Sequence, residues 1–224
     1  MIQNIAKDLV VFNGNDMDNN AYLLIKSNHC IIIDPSSYAQ MLKSYINEHQ
    51  LILDAILLTH GHFDHIQSIN ELLKEFKVKV YCHKLEQFVI DKFHCGELMN
   101  NPNWKAPLEL FNYYFNDETA VHYKDEELKV GNFKLKVFST PGHTSGSTCY
   151  YYQHYFFTGD TIFYDGIGRS DLPSGNQFQL FNSIKKIIKI LKPNDLILPG
   201  HCQKYETYKK VSNMNPYIMH FRRS

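Results

Sequence analysis

The chain has no apolar run near the roughly 18 residues that a membrane span requires. Its start, Met1 to Asp8, has no basic segment leading into an apolar core, so neither a span nor a secretory leader is expected. Net charge is missing as well, because 23 Lys and Arg balance 23 Asp and Glu over 224 residues. A general nucleic-acid binder shows a basic excess. A small-molecule substrate, with neither nucleic acid nor membrane, is therefore the expected partner. Cysteine is sparse and scattered: Cys30, Cys82, Cys95, Cys149 and Cys202 are odd in number and form no C-x-x-C. That excludes a disulfide framework and a cysteine zinc ribbon, and it points to a reducing cytoplasm. Arginine occurs only at 169, 222 and 223.

What remains is the composition of an ordinary folded protein, 44% hydrophobic and 21% charged. The length suits one domain over residues 1–224. Leu9–Phe12, Ala21–Ile25 and Cys30–Ile33 read as strands between Asn, Gly and Ser turns, and Tyr38–His49 as a helix capped by Ser36 or Ser37. Ala55–Leu58 is a continuous apolar run, as in a buried central strand. Helical spacing of Ile66, Ile69, Leu72, Leu73 and Phe76 follows, then a strand at Val78–Tyr81. Further strands are expected at Phe133–Phe138, Thr148–Tyr152, Tyr155–Phe157 and Leu196–Ile197–Leu198. Phe178, Phe181, Ile184, Ile188 and Leu191 mark the apolar face of a helix, and Lys185, Lys186 and Lys189 its solvated face. Leu110–Phe115 reads as core or packing rather than a lid. His83, His94, His122 and His154 read as surface or turn residues, and the thiols of Cys30 and Cys149 as small core groups. Each half has strands followed by helices, which predicts an α/β domain of two mixed sheets packed face to face with helices outside.

Histidine is the residue in excess, with 12 copies. Three of them join one aspartate in Thr59-His60-Gly61-His62-Phe63-Asp64-His65, just after the buried strand. Imidazole nitrogen and carboxylate oxygen are the ligands that Zn²⁺ and similar ions take. Alternate loop residues such as His60 and His62 point the same way, and Asp64 and His65, opening the next helix, reach a neighbouring point. Three later segments repeat one logic. His143, Asp160 and His201 each follow a glycine at the end of an apolar strand.

These four segments, in this order, resemble the metallo-β-lactamase superfamily. The resemblance implies a four-layered αββα sandwich with the metals at one edge of the paired sheets. It implies His60, His62 and His143 on one ion, Asp64, His65 and His201 on a second, and Asp160 between them. Asp34, after Ile31-Ile32-Ile33, matches an early aspartate that orients ligands without binding metal. The segment from Gly166 through Arg169-Ser170-Asp171-Leu172-Pro173 to Gly175, with Asn215-Pro216-Tyr217, resembles the short glyoxalase-II-like hydrolases. Cys202 departs from the pattern, which often has glycine after the last histidine.

The resemblance implies two divalent ions, zinc being expected and iron or manganese the alternatives. Such a pair holds a bridging water and lowers its pKa, supplying hydroxide near neutral pH. The expected reaction is hydrolysis of a small thioester of the hydroxyacylglutathione kind. Asp64 serves mainly as a ligand, with orientation of the hydroxide as its catalytic part. Arg169 either grips a substrate carboxylate or pairs with Asp165 or Asp171. The alternatives are a persulfide dioxygenase with one iron, and a metal-dependent nuclease or lactonase of the same superfamily.

Overall fold

In the computed structural model, residues 1–14, 18–86 and 126–223 are described, and the expectations for 93–117, His94 and His122 fall outside them. One sheet runs β1 (Ile2–Ala6), β2 (Leu9–Phe12), β3 (Ala21–Lys26), β4 (His29–Ile33), β5 (Ile52–Leu57) and β6 (Lys79–Tyr81), in that spatial order. β1 to β4 pair antiparallel, and β4, β5 and β6 pair parallel. The second sheet comprises β7 (Glu126–Val130), β8 (Phe133–Ser139), β9 (Thr148–Tyr152), β10 (Tyr155–Gly159), β11 (Leu196–Pro199) and β12 (Glu206–Thr207). Only β10 and β11 pair parallel in it. Both sheets are mixed, as expected.

The layering follows from the period-2 geometry of a strand. Val10, Phe12, Leu23, Cys30 and Ile32 pack outward against α1 (Ala39–Glu48) and α3 (Ile69–Glu75). Their alternates Leu9, Val11, Tyr22, Leu24, Ile31 and Ile33 face the second sheet and meet Phe133, Leu135, Val137, Tyr155, Phe157 and Leu198. On the far side Phe138, Cys149, Phe156 and Ile197 pack against α4 (Gln177–Ile187), α5 (Tyr208–Met214) and α6 (Pro216–Phe221). β2 and most of β3 and β4 are buried on both faces, which is why they read as unbroken apolar runs rather than alternating ones. The result is the expected order helix, sheet, sheet, helix. Cys30 and Cys149 are buried in it as anticipated.

Some local expectations are corrected. The cap of α1 is not Ser36 or Ser37; the Ala39 amide donates to Ser68 Oγ at 2.9 Å, a residue 29 positions away. The helical spacing after His62 belongs to two short helices, α2 (Phe63–Ile66) and α3, with a break at Gln67 and Ser68. In α4 the buried stripe is Leu180, Ser183, Ile184 and Ile187, whereas Phe178 is 74% exposed. Packing decides the phase here: the helix ends at Ile187, and Leu191 reaches the same cluster from beyond it. Strands β1, β7 and β12 and the two C-terminal helices had no clear periodic signal.

The topology places five chain ends together. β4, β5, β8, β10 and β11 all run toward one edge of the paired sheets, and Asp34, Thr59, Thr140, Asp160 and Gly200 lie just past those ends. Buried bonds tie the sheets at this edge. Tyr150 Oη donates to Leu58 O at 2.7 Å, Tyr22 Oη to Pro199 O at 2.6 Å, and the Thr148 amide to Thr59 O at 2.8 Å.

Candidate metal centre

His60 and His62 flank Gly61 on the loop after β5, and their rings lie edge to face with centroids 4.6 Å apart. His143, on the turn after β8, comes at them from the other sheet. Its Nε2 lies 3.2 Å from His60 Nε2 and 2.8 Å from His62 Nδ1. Tetrahedral ligands with zinc–nitrogen bonds near 2.05 Å stand about 3.3 Å apart. Three imidazole nitrogens gathered within 4.8 Å of one another suit a cation better than they suit one another.

The second group lies alongside. His201 Nε2 is 3.3 Å from Asp64 Oδ2, and His65 Nε2 is 3.8 Å from the same oxygen. Asp160 stands between the groups: its Oδ2 is 3.4 Å from His143 Nε2 and 3.3 Å from His201 Nε2. His65 Nε2 and Asp160 Oδ1 face each other at 3.5 Å. Both are buried, and neither has a hydrogen-bond partner among the described residues. Orphaned polar atoms cost free energy in a folded core. Their convergence here fits a site for cations, and all seven residues expected to hold metal are in it.

The supporting contacts set which ring nitrogen faces inward. Asp34 Oδ1 accepts the Thr59 amide at 2.7 Å, and its Oδ2 accepts the Thr59 hydroxyl at 2.6 Å. The same Oδ2 lies 3.0 Å from His65 Nδ1. Asp34 therefore orients His65, and its own carboxylate comes within 4.8 Å of ring nitrogens of His60 and His65. His143 Nδ1–H donates to the backbone carbonyl of Arg169 at 2.7 Å, which leaves the lone pair on Nε2. Gly168 makes that contact possible, since a Cβ there would lie 1.9 Å from Asp160 O and 3.1 Å from His143 Nδ1.

The Arg169 guanidinium points elsewhere. It donates to both oxygens of Asp171 at 2.7 Å, an exposed pair, while Asp165 pairs with Lys204. Asn215, in the Asn-Pro-Tyr segment, accepts from the amides of Tyr217 and Ile218 and so caps α6. Its Nδ2 donates to Phe163 O and Gly166 O, anchoring the loop that carries Gly168. Cys202 takes the left-handed φ of 64° that the usual glycine adopts freely.

Charge divides the site. Burial pushes His60, His62 and His143 down, His62 to about 3, so these rings are neutral and keep their lone pairs. Burial also disfavours charge on His65 and His201, but Asp64, Asp34 and Asp160 outweigh it. They raise His65 to about 9 and His201 to about 11. Burial works against ionisation of Asp64 and Asp160, yet the neighbouring imidazoles hold both carboxyls well below their usual range.

Sequence reasoning missed several residues of the site. Asn19 is buried and donates from Nδ2 to Asp64 Oδ2 at 2.9 Å. Asn20 donates to Pro199 O and Cys202 O on either side of the loop that bears His201. Glu86 lies beneath the histidine loops. Only Thr59, next to His60, stood within the quoted motif.

Comparison with known proteins agrees with this geometry. A model of the metallo-beta-lactamase superfamily matches residues 14–201. The chain is 34% identical to the probable metallo-hydrolase YqgX of Bacillus subtilis over 90% of this chain and 93% of that one. It is 32% identical to the hydroxyacylglutathione hydrolase GloC of Haemophilus influenzae, covering 84% of this chain and 86% of that one. Among solved structures, the B3 metallo-beta-lactamase BLEG-1 superposes with a TM-score of 0.79 at 30% identity, covering 94% of this chain and 99% of that one. TTHA1623, in a di-iron-bound form, does so with 0.74 at 26%, covering 92% and 98%. With its two mixed sheets, its paired histidine and aspartate groups and these likenesses, the chain belongs to the metallo-beta-lactamase superfamily.

Proposed function

We propose that the chain is a dinuclear metal-dependent hydrolase of small thioesters, resembling hydroxyacylglutathione hydrolases. One observation carries the reading. Two ligand groups share Asp160, with Oδ2 within 3.4 Å of a nitrogen from each. His60, His62 and His143 would hold one divalent ion, and Asp64, His65 and His201 the other, with Asp160 common to both. Zinc is the proposed metal; the di-iron form of TTHA1623 makes iron the alternative. Two such ions supply a Lewis acid and a water acidified toward neutrality.

The chain's own residues prepare the rest. Neutral His60, His62 and His143 offer lone pairs without first losing a proton. Asp34 and the Arg169 carbonyl keep His65 and His143 turned inward. Asn19 restrains the Asp64 carboxylate, so that it presents one orientation to a ligand or an attacking water. Arg169, on the exposed loop after Gly168, exchanges Asp171 for a substrate carboxylate in this proposal. The thioester class rests on the Gly166–Gly175 and Asn215–Tyr217 segments and on relatives named hydroxyacylglutathione hydrolase. A cytoplasmic setting belongs to the same proposal; among the described residues no helix is long and apolar enough to cross a membrane.

The test is elemental analysis of protein from its own host, followed by assay of S-lactoylglutathione and other acyl-thiols. Two ions per chain with thioester turnover is the expected result. One iron per chain with oxygen consumption, or no turnover of any thioester by the loaded protein, overturns the proposal.

A further inference from the structure

Glu86 lies just past β6, outside every motif of the site, and its side chain is fully buried. A buried carboxylate is costly unless its oxygens are matched by donors. Here the donors are specific. Oε2 accepts the amide of Gly61 at 2.6 Å. Oε1 accepts the Thr144 hydroxyl at 2.7 Å and the Gly146 amide at 2.8 Å. Gly61 separates His60 from His62, and Thr144 follows His143. The carboxylate thus binds the backbone of both loops that bear the first histidine group, one from each sheet. Gly146 admits this approach, since a Cβ there would lie 2.6 Å from Oε1.

We propose that Glu86 is a positioning residue that fixes the spacing of His60, His62 and His143 by clamping their two loops on one carboxylate. The inference rests on the dinuclear reading above. It adds a residue that touches no candidate ligand side chain and acts only through the loops. Two acceptor oxygens are what the clamp requires, because all three partners are used as donors and two of them are backbone amides. Those amides cannot reverse polarity. An amide side chain of the same shape would set an N–H against an N–H. Burial outweighs the pull of Thr144, Gly61 and Gly146 and leaves the Glu86 carboxyl raised to about 7.

Cobalt titration, read by the d–d absorption of each bound ion, tests this on wild type, Glu86→Gln and Thr144→Val, with Thr144→Ser as the conservative rescue. Circular dichroism melting of the metal-free proteins checks that each is folded. In Glu86→Gln one ion is expected to bind as in wild type. The other weakens by about tenfold or more, as when a residue that orients metal ligands is lost. Thr144→Val, missing one of three bonds, shows a smaller loss that Thr144→Ser restores. Unchanged affinity and spectrum in Glu86→Gln overturns the proposal. If that variant does not fold, unchanged affinity in Thr144→Val does so. A wild type that takes up two ions, beside variants that do so equally well, rejects the clamp and leaves the dinuclear reading standing. A wild type binding one ion rejects the dinuclear reading, and the clamp with it unless that ion weakens in Glu86→Gln. A wild type binding none rejects both.

Discussion

Asp34 and His65 are 31 residues apart in the chain, yet Asp34 Oδ2 meets His65 Nδ1 at 3.0 Å in the core. Asp34 sits past the end of β4 with φ 50°, and His65 belongs to α2. The contact turns Nε2 toward Asp160. Asp34→Asn would place an amide N–H among donors. It is expected to weaken the ion at Asp64, His65 and His201 about 10- to 100-fold, more than the ion at His60, which Asp34 hydrogen-bonds only through Thr59. Competition with a chelating dye measures both; equal weakening at both sites contradicts the assignment.

Proton release tests the charge division. In the metal-free chain His65 and His201 hold their protons at neutral pH, with values raised to about 9 and 11. A metal needs the bare nitrogen, so zinc binding near pH 7.5 is expected to release about two protons per chain. Calorimetry in buffers of different ionisation enthalpy reads that number. A value of zero is the contrary result. The stabilisation from the two charged rings is full below the ordinary imidazole value and is lost as pH rises through about 9 and then 11. The metal-free protein should therefore melt at a lower temperature near pH 10 than near pH 7.

Gly168 is a steric requirement. Gly168→Ala drives a Cβ into Asp160 O, so the backbone must shift and draw the Arg169 carbonyl from His143. The expected cost is about 1–3 kcal/mol in denaturant unfolding, together with weaker zinc binding. Gly166→Ala is the control, since its Cβ meets nothing within 4 Å. Equal behaviour of the two variants refutes the account.

Arg169→Ala separates the two roles weighed for that side chain. The Asp171 pair is exposed, and such pairs contribute little to stability. The melting temperature should stay where it was. KM should rise for a thioester bearing a carboxylate and stay constant for one that lacks it. A uniform effect on both substrates assigns Arg169 to the loop alone.

Asn215→Ala removes the cap of α6 and the two bonds to Phe163 O and Gly166 O. A loss of about 2 kcal/mol or more is expected. Urea titration of the metal-free chain measures it, and a midpoint equal to wild type would remove Asn215 from the support of the loop.

Much of the centre was legible because its chemistry is local. His60, His62, Asp64 and His65 fall within six positions, and histidine with aspartate has few other uses at that density. The layers were legible too: strands buried on both faces must read as unbroken apolar runs, and β2 and most of β3 and β4 do. The partners of the ligands were another matter. Glu86 finds Gly61 and Gly146 at separations of 25 and 60 residues, and Asn19 finds Asp64 at 45. His143 is oriented by the carbonyl of Arg169, an atom every residue possesses, so side-chain identity at 169 held no signal for it. The phase of α4 likewise depended on which turn met Phe156 and Ile197, not on which face was richest in carbon. Residue type alone determined which atoms are able to bind metal here. Their spacing and inward direction came from strand register and loop-to-loop hydrogen bonds, which exist only once distant segments have packed.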